Sequence, residues 1–450
     1  MYRDDSPQYP MAFCLETIVS GQFDQEPFEL ALKSALDRHP LLQATVRRQW
    51  NRYHWVHAPV TTLPLDWDVS PSAVPPLPCQ IDITKRPGIQ IWVRELDGEF
   101  LVVWQFHHAC CDGIGSLQFI GDVFAHYGIK TAQQDQSRPT LQALDHNLLK
   151  HRGDLISAGK SPSTSDLSVS TLIRRFRRLV GRRTMPLASP PRQVKTESRP
   201  LMLTEVLDRT TLKMLNRFAS NNDVNLNSLL MREMFLTLKD WNEAIGEMKE
   251  NQWLRLGMPL NMRMHEHDKI PACNMVSIMF IPRRAEDCLD EDKLLLGIQT
   301  QTLKILHNRL GNLVLSGIRR ARKVPGLLRL VLKSKRPFAT AILANLGEVR
   351  KHLGGEFPHL EGRCVAGNIV IEHVGGVAPI RPGTLMAVSI GVYGRQLMIN
   401  MNCDQNYLSQ SQSQQLMTSY VSRLKLLAEK VPRKKSLKTD SLIQIDLTEN

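Results

Sequence analysis

The sequence predicts a mixed α/β protein that is built in two large halves. A chain of 450 residues, of which 42% are apolar, is long enough for two domains with sizeable cores. The apolar, β-branched and aromatic run over residues 100–106 is typical of a buried strand, and a helical pattern that opens at Ser116 and closes at Gly128 follows it. Between the halves, residues 151–200 are rich in serine, proline and arginine, as linkers often are.

The first half, residues 1–150, mixes strand and helix patterns. Strands are predicted at residues 13–20, 53–56, 89–96 and 100–106, and a helix at residues 26–36. The pair Asp97-Gly98 predicts a tight turn that joins the last two strands into a hairpin. His39-Pro40 is interpreted as a helix stop, because the residue before a proline disfavours helix, and no catalytic role is assigned to His39.

The second half, residues 201–432, repeats this mixture, and residues 433–450 form a basic-to-polar tail. Helices are predicted at residues 210–221, 227–242 and 411–430, and a helical pattern interrupted at Pro325-Gly326 extends over 294–346. Strands are predicted at residues 253–263 and 274–281, followed by a hairpin at residues 384–402 about Gly394-Arg395. In the linker, a short basic helix near residues 174–183 either lies on a surface or is a solvated connector.

The candidate site is the loop that follows the 100–106 strand, where His107 and His108 are followed by Asp112-Gly113. Histidine titrates near neutral pH and can remove a proton from a hydroxyl or amine as that group attacks a carbonyl. Adjacent residues on a strand point in opposite directions, so only one of the two imidazoles can face a given site. Asp112 could orient that imidazole or hold the loop through a cation elsewhere, and Gly113 would permit a sharp turn.

Other interpretations of this loop are weaker. Adjacent histidines seldom converge on one ion, so no metal site is predicted, and ordinary loop polarity does not account for the whole pattern. Cys110 and Cys111 could include a nucleophile, but small buried thiols that fill space are the favoured interpretation.

The complete pattern, His-His, three residues and Asp-Gly after an apolar strand, resembles the signature of the condensation-domain superfamily of acyltransferases. That superfamily includes chloramphenicol acetyltransferases, peptide-synthetase condensation domains, wax ester synthase/diacylglycerol acyltransferases and polyketide-associated acyltransferases. Weaker similarities follow in the expected order from about residue 26 to 430, among them "ALKSALDRHPLLQATV" and "VSIGVYGRQLMINMNCD". The chain is most similar in character to stand-alone condensation domains and wax ester synthase-like proteins.

The resemblance implies two chloramphenicol acetyltransferase-like α/β subdomains in a V with a central tunnel. It implies that His108 is the catalytic base and that Asp112 is mainly structural. Arg263 matches the arginine of a superfamily step, which would place it opposite Asp112 in a pair joined by two parallel hydrogen bonds. Asn274 matches an asparagine that precedes a strand, and is a candidate contact to the oxyanion or substrate. No metal or bound cofactor is implied, and acyl-CoA or an acyl carrier protein would be the co-substrate.

The charge of the chain is +13 and is concentrated in two segments. Residues 174–183 contain six arginines, and no acid stands between Asp292 and Glu348. We expect the basic segments 171–183 and 313–336 to attract an anion, such as the phosphates of coenzyme A, an acidic carrier protein or an anionic membrane surface. Nucleic acid is disfavoured, because no nucleic-acid-binding motif accompanies the charge.

The expected location is cytoplasmic, or peripheral to the inner face of a membrane. The eight cysteines include no CxxC pair, which favours a reducing compartment. The N-terminus does not resemble a signal peptide, and no apolar run is long enough for a membrane span.

Three classes of function stay open at this point. The first is acyl transfer from a thioester donor to a small alcohol or amine. The second is carrier-dependent amide condensation, which would not use free acyl-CoA. The third is a non-catalytic binding descendant of the fold, against which the intact histidine and aspartate argue.

Overall fold

The computed structural model describes residues 2–50, 52–58, 62–70, 73, 79–152, 183–190, 202–246, 252–323 and 337–431. Most of the basic segment 171–183, the predicted interruption at Pro325-Gly326 and the tail 433–450 lie outside these residues.

Fifteen strands are described: β1 (Ala12–Gly21), β2 (Ala44–Gln49), β3 (Arg52–His57), β4 (Leu65–Trp67), β5 (Ile89–Leu96), β6 (Glu99–His107), β7 (Met202–Leu207), β8 (Trp253–Asn261), β9 (Val276–Arg284), β10 (Ala341–Glu348), β11 (His359–Leu360), β12 (Arg363–Ala366), β13 (Ile369–Val377), β14 (Met386–Tyr393) and β15 (Gln396–Cys403). The described α-helices are α1 (Gln25–Arg38), α2 (Gly113–Thr131), α3 (Leu148–His151), α4 (Arg209–Asn221), α5 (Leu226–Ala244), α6 (Glu291–His307), α7 (Gly311–Lys323) and α8 (Gln410–Glu429).

The strands form two large sheets, each with its own core. The first sheet has the order β11-β12-β13-β1-β6-β5-β4, and the second has the order β7-β15-β14-β10-β8-β9. Helices α1 and α2 share the core of the first sheet, and α4, α5, α6 and α8 share that of the second. The predicted mixed α/β architecture is therefore confirmed.

Both predicted hairpins are present, and their turns follow from the residues at their tips. Strands β5 and β6 pair in the antiparallel sense from Ile89 opposite Phe106 to Leu96 opposite Glu99. The intervening Asp97 has φ 53° and Gly98 has φ 83°. Positive φ at both central residues is the geometry of a type I′ turn, which suits the twist of a two-residue hairpin.

Helix α2 starts earlier and ends later than the pattern from Ser116 to Gly128 predicted. Its N-cap is Asp112, whose carboxylate accepts a hydrogen bond from the Gly115 N–H at 2.9 Å. Gly128 lies inside the helix, and a Cβ there would come within 2.8 Å of Ala366 Cα in β12. This glycine therefore permits close packing on the sheet and does not end the helix.

The helical pattern predicted over residues 294–346 is wrong at its end, where β10 begins. Strand β10 pairs in parallel with β14 on one side and β8 on the other, which makes it a central strand. The first four residues of β10, 341–344, are all apolar and buried or half-buried, and the periodicity of so short an apolar run does not distinguish a strand from a helix.

The chain crosses between the two sheets late in the sequence. Strands β11–β13 come from the predicted C-terminal subdomain, yet β13 pairs with β1 and extends the first sheet. The second half thus completes the sheet that carries the histidines. Within the ranges described, every helix is too short or too polar to serve as a transmembrane span.

Candidate active site

His108 is the first residue after β6 and lies half-buried beside β1. Its backbone N–H donates to the carbonyl of Met11 at 2.7 Å. Its ring centroid lies 4.9 Å from that of Phe13 in β1. The imidazole is therefore held at the end of a rigid strand and still keeps some exposure.

A side chain from the second half contacts this imidazole. Asn274 Nδ2 lies 3.0 Å from His108 Nδ1 and also donates to the carbonyl oxygen of His108. The orientation of the amide is fixed by its other end, because Asn274 Oδ1 accepts the N–H of Val276 at 3.1 Å. Asn274 was predicted as a substrate or oxyanion contact, whereas here its amide nitrogen is engaged by the histidine.

The surroundings of His108 favour the neutral imidazole. Desolvation lowers the pKa of His108 and outweighs the opposing effects of the Asp112 charge and of the backbone carbonyls of His108 and Cys111. A neutral imidazole has an unprotonated nitrogen, which is what a general base requires.

His107 points into the protein and is fully buried. Its Nδ1 accepts the N–H of Ala109 at 3.0 Å, and its Nε2 lies 3.8 Å from an Asp5 carboxylate oxygen. Desolvation lowers the pKa of His107 to about 4. The two neighbouring histidines thus occupy different environments, as the alternation of a strand predicts.

Asp112 joins the two halves of the chain. Its carboxylate accepts hydrogen bonds from Arg263 Nη1 at 2.8 Å and from the Met275 N–H at 2.7 Å, besides the one from Gly115. The Asp112–Arg263 pair predicted from the resemblance is present, but the two parallel hydrogen bonds are not, because Arg263 Nη2 donates to the carbonyl of Cys273 at 2.8 Å.

The electrostatics of Asp112 follow from these contacts. Burial alone would raise the pKa of Asp112, but the charge of Arg263 and the hydrogen-bond donors outweigh burial and lower it. Asp112 remains a carboxylate at neutral pH. Among the described contacts it has no hydrogen bond to the His108 ring, so its part in the geometry is to hold the loop and α2.

The small residues of this loop allow close packing. Cys110 and Cys111 are fully buried, and desolvation raises the pKa of the Cys110 thiol to about 12. Gly113 has no positive φ, and a Cβ there would meet only Leu346 at an ordinary 3.4 Å, so a sharp turn is not its reason. The glycine that the packing requires is Gly115, where a Cβ would lie 2.8 Å from the Cys273 carbonyl oxygen.

A further histidine contact could not be foreseen from the sequence. His39, which was assigned only a helix stop, lies fully buried against the backbone of Ala272, two residues before Asn274. Its only sequence signal was a histidine-proline pair at the end of a helix. Among the described residues, no group of three His, Cys, Asp or Glu side chains is arranged to hold a metal ion.

No family model matches the sequence, and a search of the curated proteins finds no match. Solved structures do match over nearly the whole chain. The first condensation domain of the calcium-dependent antibiotic synthetase, in complex with a substrate analogue, has a TM-score of 0.67 at 12% identity and covers 95% of this chain and 93% of its own. SgcC5 from Streptomyces globisporus has a TM-score of 0.63 at 13% identity and covers 95% of each chain.

A third similar structure is the starter condensation domain of rhizomide synthetase, in mutant form with C8-CoA and Leu-SNAC. It has a TM-score of 0.59 at 13% identity and covers 94% of this chain and 91% of its own. The chain therefore has the two-subdomain condensation-domain fold, and the predicted resemblance to that superfamily is confirmed at the level of the fold. The central tunnel and the catalytic role of His108 stay predictions.

Proposed function

We propose that the protein is an acyltransferase that moves an acyl group from a thioester donor to a hydroxyl or amine, with His108 as general base. The observation that carries this proposal is a neutral, half-buried imidazole at the end of a rigid strand, in a residue whose backbone carbonyl is held by Asn274 from the other half. His108 takes the proton of the acceptor as its oxygen or nitrogen bonds to the thioester carbonyl carbon. Collapse of the intermediate breaks the carbon–sulfur bond, and the proton passes to the departing thiol.

The tautomer of His108 decides which of its two ring nitrogens can act as the general base. For Nε2 to accept the proton, Nδ1 must carry one in the resting state. With Nδ1 protonated, the 3.0 Å contact between Asn274 Nδ2 and Nδ1 joins two donors and is not a hydrogen bond, so Asn274 holds His108 through the His108 carbonyl and not through the ring. In this arrangement Asn274 donates to the same carbonyl and is a positioning residue, and the oxyanion requires other donors.

A second candidate is amide formation with carrier-bound substrates. It is favoured by the fold comparison, since the similar structures include condensation domains of synthetases. In both candidates the chemistry at His108 is the same, and the donor differs. Neither requires a bound cofactor.

The test is to offer both kinds of donor to the full chain. Short-, medium- and long-chain acyl-CoA and acyl-loaded carrier proteins are incubated with pooled alcohols and amines. Free thiol release and acylated products are measured. Turnover with free acyl-CoA supports the acyltransferase, and turnover with carrier-bound donors alone supports the second candidate. The absence of both would favour a non-catalytic descendant of the fold.

We further propose that helix α6 and the basic segment after it contact an anionic lipid surface. Three exposed leucines follow one another on this helix: Leu296, Leu303 and Leu306, with exposures of 55%, 49% and 57%. No acid stands between residues 293 and 347. Exposed apolar side chains beside cations are typical of helices that bind a lipid surface. An acidic carrier protein could bind to the cations alone and would not require the exposed leucines.

Reversing three of these cations is expected to release the protein from anionic vesicles. Each cation near such a surface contributes about 1 kcal/mol, so changing Lys304, Arg309 and Arg319 to glutamate should weaken binding about a hundredfold or more. Cosedimentation with phosphatidylserine/phosphatidylcholine vesicles at low salt measures this effect.

The matched control changes three exposed lysines on other helices, Lys33, Lys213 and Lys425, to glutamate, which alters the net charge equally. This control should retain most of the binding. Equal loss in both triple variants would mean that only the overall charge matters, and unchanged binding would make the basic segment a solvated surface.

A further inference from the structure

A short segment of the second half, residues 268–275, lies against the first half and leads directly to the candidate site. We call it the clasp segment. Its hydrogen bonds to the first half come from side chains and backbone on several elements: Gln142 Nε2 to the Asp268 carbonyl, the Asp145 N–H to the Lys269 carbonyl, Gln118 Nε2 to the Ile270 carbonyl, the Ala272 N–H to His39 Nδ1, the Asp112 N–H to the Cys273 carbonyl, Asn274 Nδ2 to the His108 carbonyl, and the Met275 N–H to Asp112. The position of Asn274 therefore depends on how this segment is held.

His39 contributes an unusual contact to the clasp segment. Its Nδ1 accepts the Ala272 N–H at 2.9 Å, and a ring nitrogen that accepts carries no proton. Its Nε2 lies 3.0 Å from the Asp122 carboxylate, an acceptor, so Nε2 must carry the proton. The two partners together define a neutral His39 in a single tautomer.

The groups around His39 shift its pKa in opposite directions. Asp122 in α2 favours the charged ring, and it also accepts from the neighbouring Arg38 of α1. Arg38 and His146 oppose that charge, as does His126, which also lies near Asp122. Desolvation is the largest effect, and it lowers the pKa of His39.

Protonation of His39 would place an N–H at Nδ1 directly against the Ala272 N–H. Two donors facing each other cannot form a hydrogen bond, and the buried amide would be left unpaired, which is costly. The other contacts of the clasp segment to carbonyls and amides do not titrate near neutral pH. His39 is thus suited to loosen the segment as the pH falls.

We propose that neutral His39 is a positioning residue, which holds Asn274 against His108 through the Ala272 backbone, and that its protonation releases this link. The proposal rests on the proposed function of His108, but the link itself can be measured without any substrate. The step moves one proton onto Nδ1 and breaks one hydrogen bond.

Amide hydrogen exchange of the wild-type protein tests the link. After correction for the intrinsic rate, exchange of the Ala272 amide should accelerate toward tenfold per pH unit below about 6.5, as uptake of one proton predicts. Exchange of the Met275 amide, which donates to Asp112, should accelerate much less. Exchange at Ala272 that shows no such acceleration would overturn the proposal, whether or not the protein is an enzyme.

Two substitutions separate positioning from packing. His39→Asn keeps an acceptor near the Nδ1 position for Ala272 but cannot be protonated, whereas His39→Gln keeps a donor near the Nε2 position for Asp122. The proposal expects His39→Asn to keep the ring resonances of His108 close to wild type and to lose the acid acceleration at Ala272. His39→Gln should shift the His108 resonances. If His39→Asn shifts the His108 resonances and His39→Gln leaves them close to wild type, His39 serves helix packing alone.

A control that acts on the same segment is Gln118→Ala in α2, which removes the hydrogen bond to the Ile270 carbonyl and leaves His39 untouched. It should leave the acid acceleration at Ala272 in place. If the protein proves active, kcat should fall at acid pH in both proteins, because His108 is protonated in each, and the fall should be steeper in the wild type than in His39→Asn. A result in which exchange follows the proposal but no turnover is found would contradict the proposed function and leave the role of His39 intact.

Discussion

Replacing His108 with alanine is expected to lower kcat by roughly 10²–10⁴-fold, the usual contribution of a general base. Folding should be little affected, because the ring is half-buried and contributes little packing. Acyl transfer with the best donor from the substrate panel and a melting temperature for the same preparation measure the two effects.

The neighbouring histidine supplies the matched control. His107→Ala removes a fully buried ring and leaves the Ala109 N–H without its acceptor, so it should lower the melting temperature and the soluble yield. The remaining folded fraction should retain activity. If both variants fold normally and lose activity equally, the assignment of His108 as the base is wrong.

Removing either partner of the Asp112–Arg263 pair is expected to destabilise the fold by about 3–5 kcal/mol, because the other charge is left buried and unpaired. The double variant should be less destabilised than the sum of the two single variants. Urea denaturation of Asp112→Ala, Arg263→Ala and the double variant measures this coupling. Additive effects would contradict an energetic link between the residues.

Asp112→Asn separates the charge from the hydrogen bonds. It keeps an oxygen that can accept from Gly115 or Met275, so it should cost less than Asp112→Ala. It should also change how the free energy of unfolding depends on pH. Because the pKa of Asp112 is lowered in the folded protein, its contribution is present above the unfolded value of about 3.9 and is lost as the pH falls through the folded value. In the acid range, the free energy of unfolding of Asp112→Asn should therefore depend less on pH than that of the wild type.

The sequence alone determined the elements whose signals are local. The alternating and apolar runs predicted β1, β5 and β6, and the residues at the two hairpin tips predicted turns that the structure contains. The histidine pattern was also local, since the strand end, the two imidazoles and the capping aspartate lie within a few residues of one another. Periodicity and turn chemistry depend on near neighbours, which is why they could be predicted without a fold.

Tertiary structure decided what the side chains of the site contact. Asn274 meets His108 across 166 residues, Met275 meets Asp112 across 163, and Ala272 meets His39 across 233. No periodic pattern records such contacts. The same reason explains β10, whose strand conformation comes from its neighbours β8 and β14, and Gly115, whose small size matters only because the Cys273 carbonyl approaches it. These features depend on two distant parts of the chain meeting, and each part by itself is compatible with other structures.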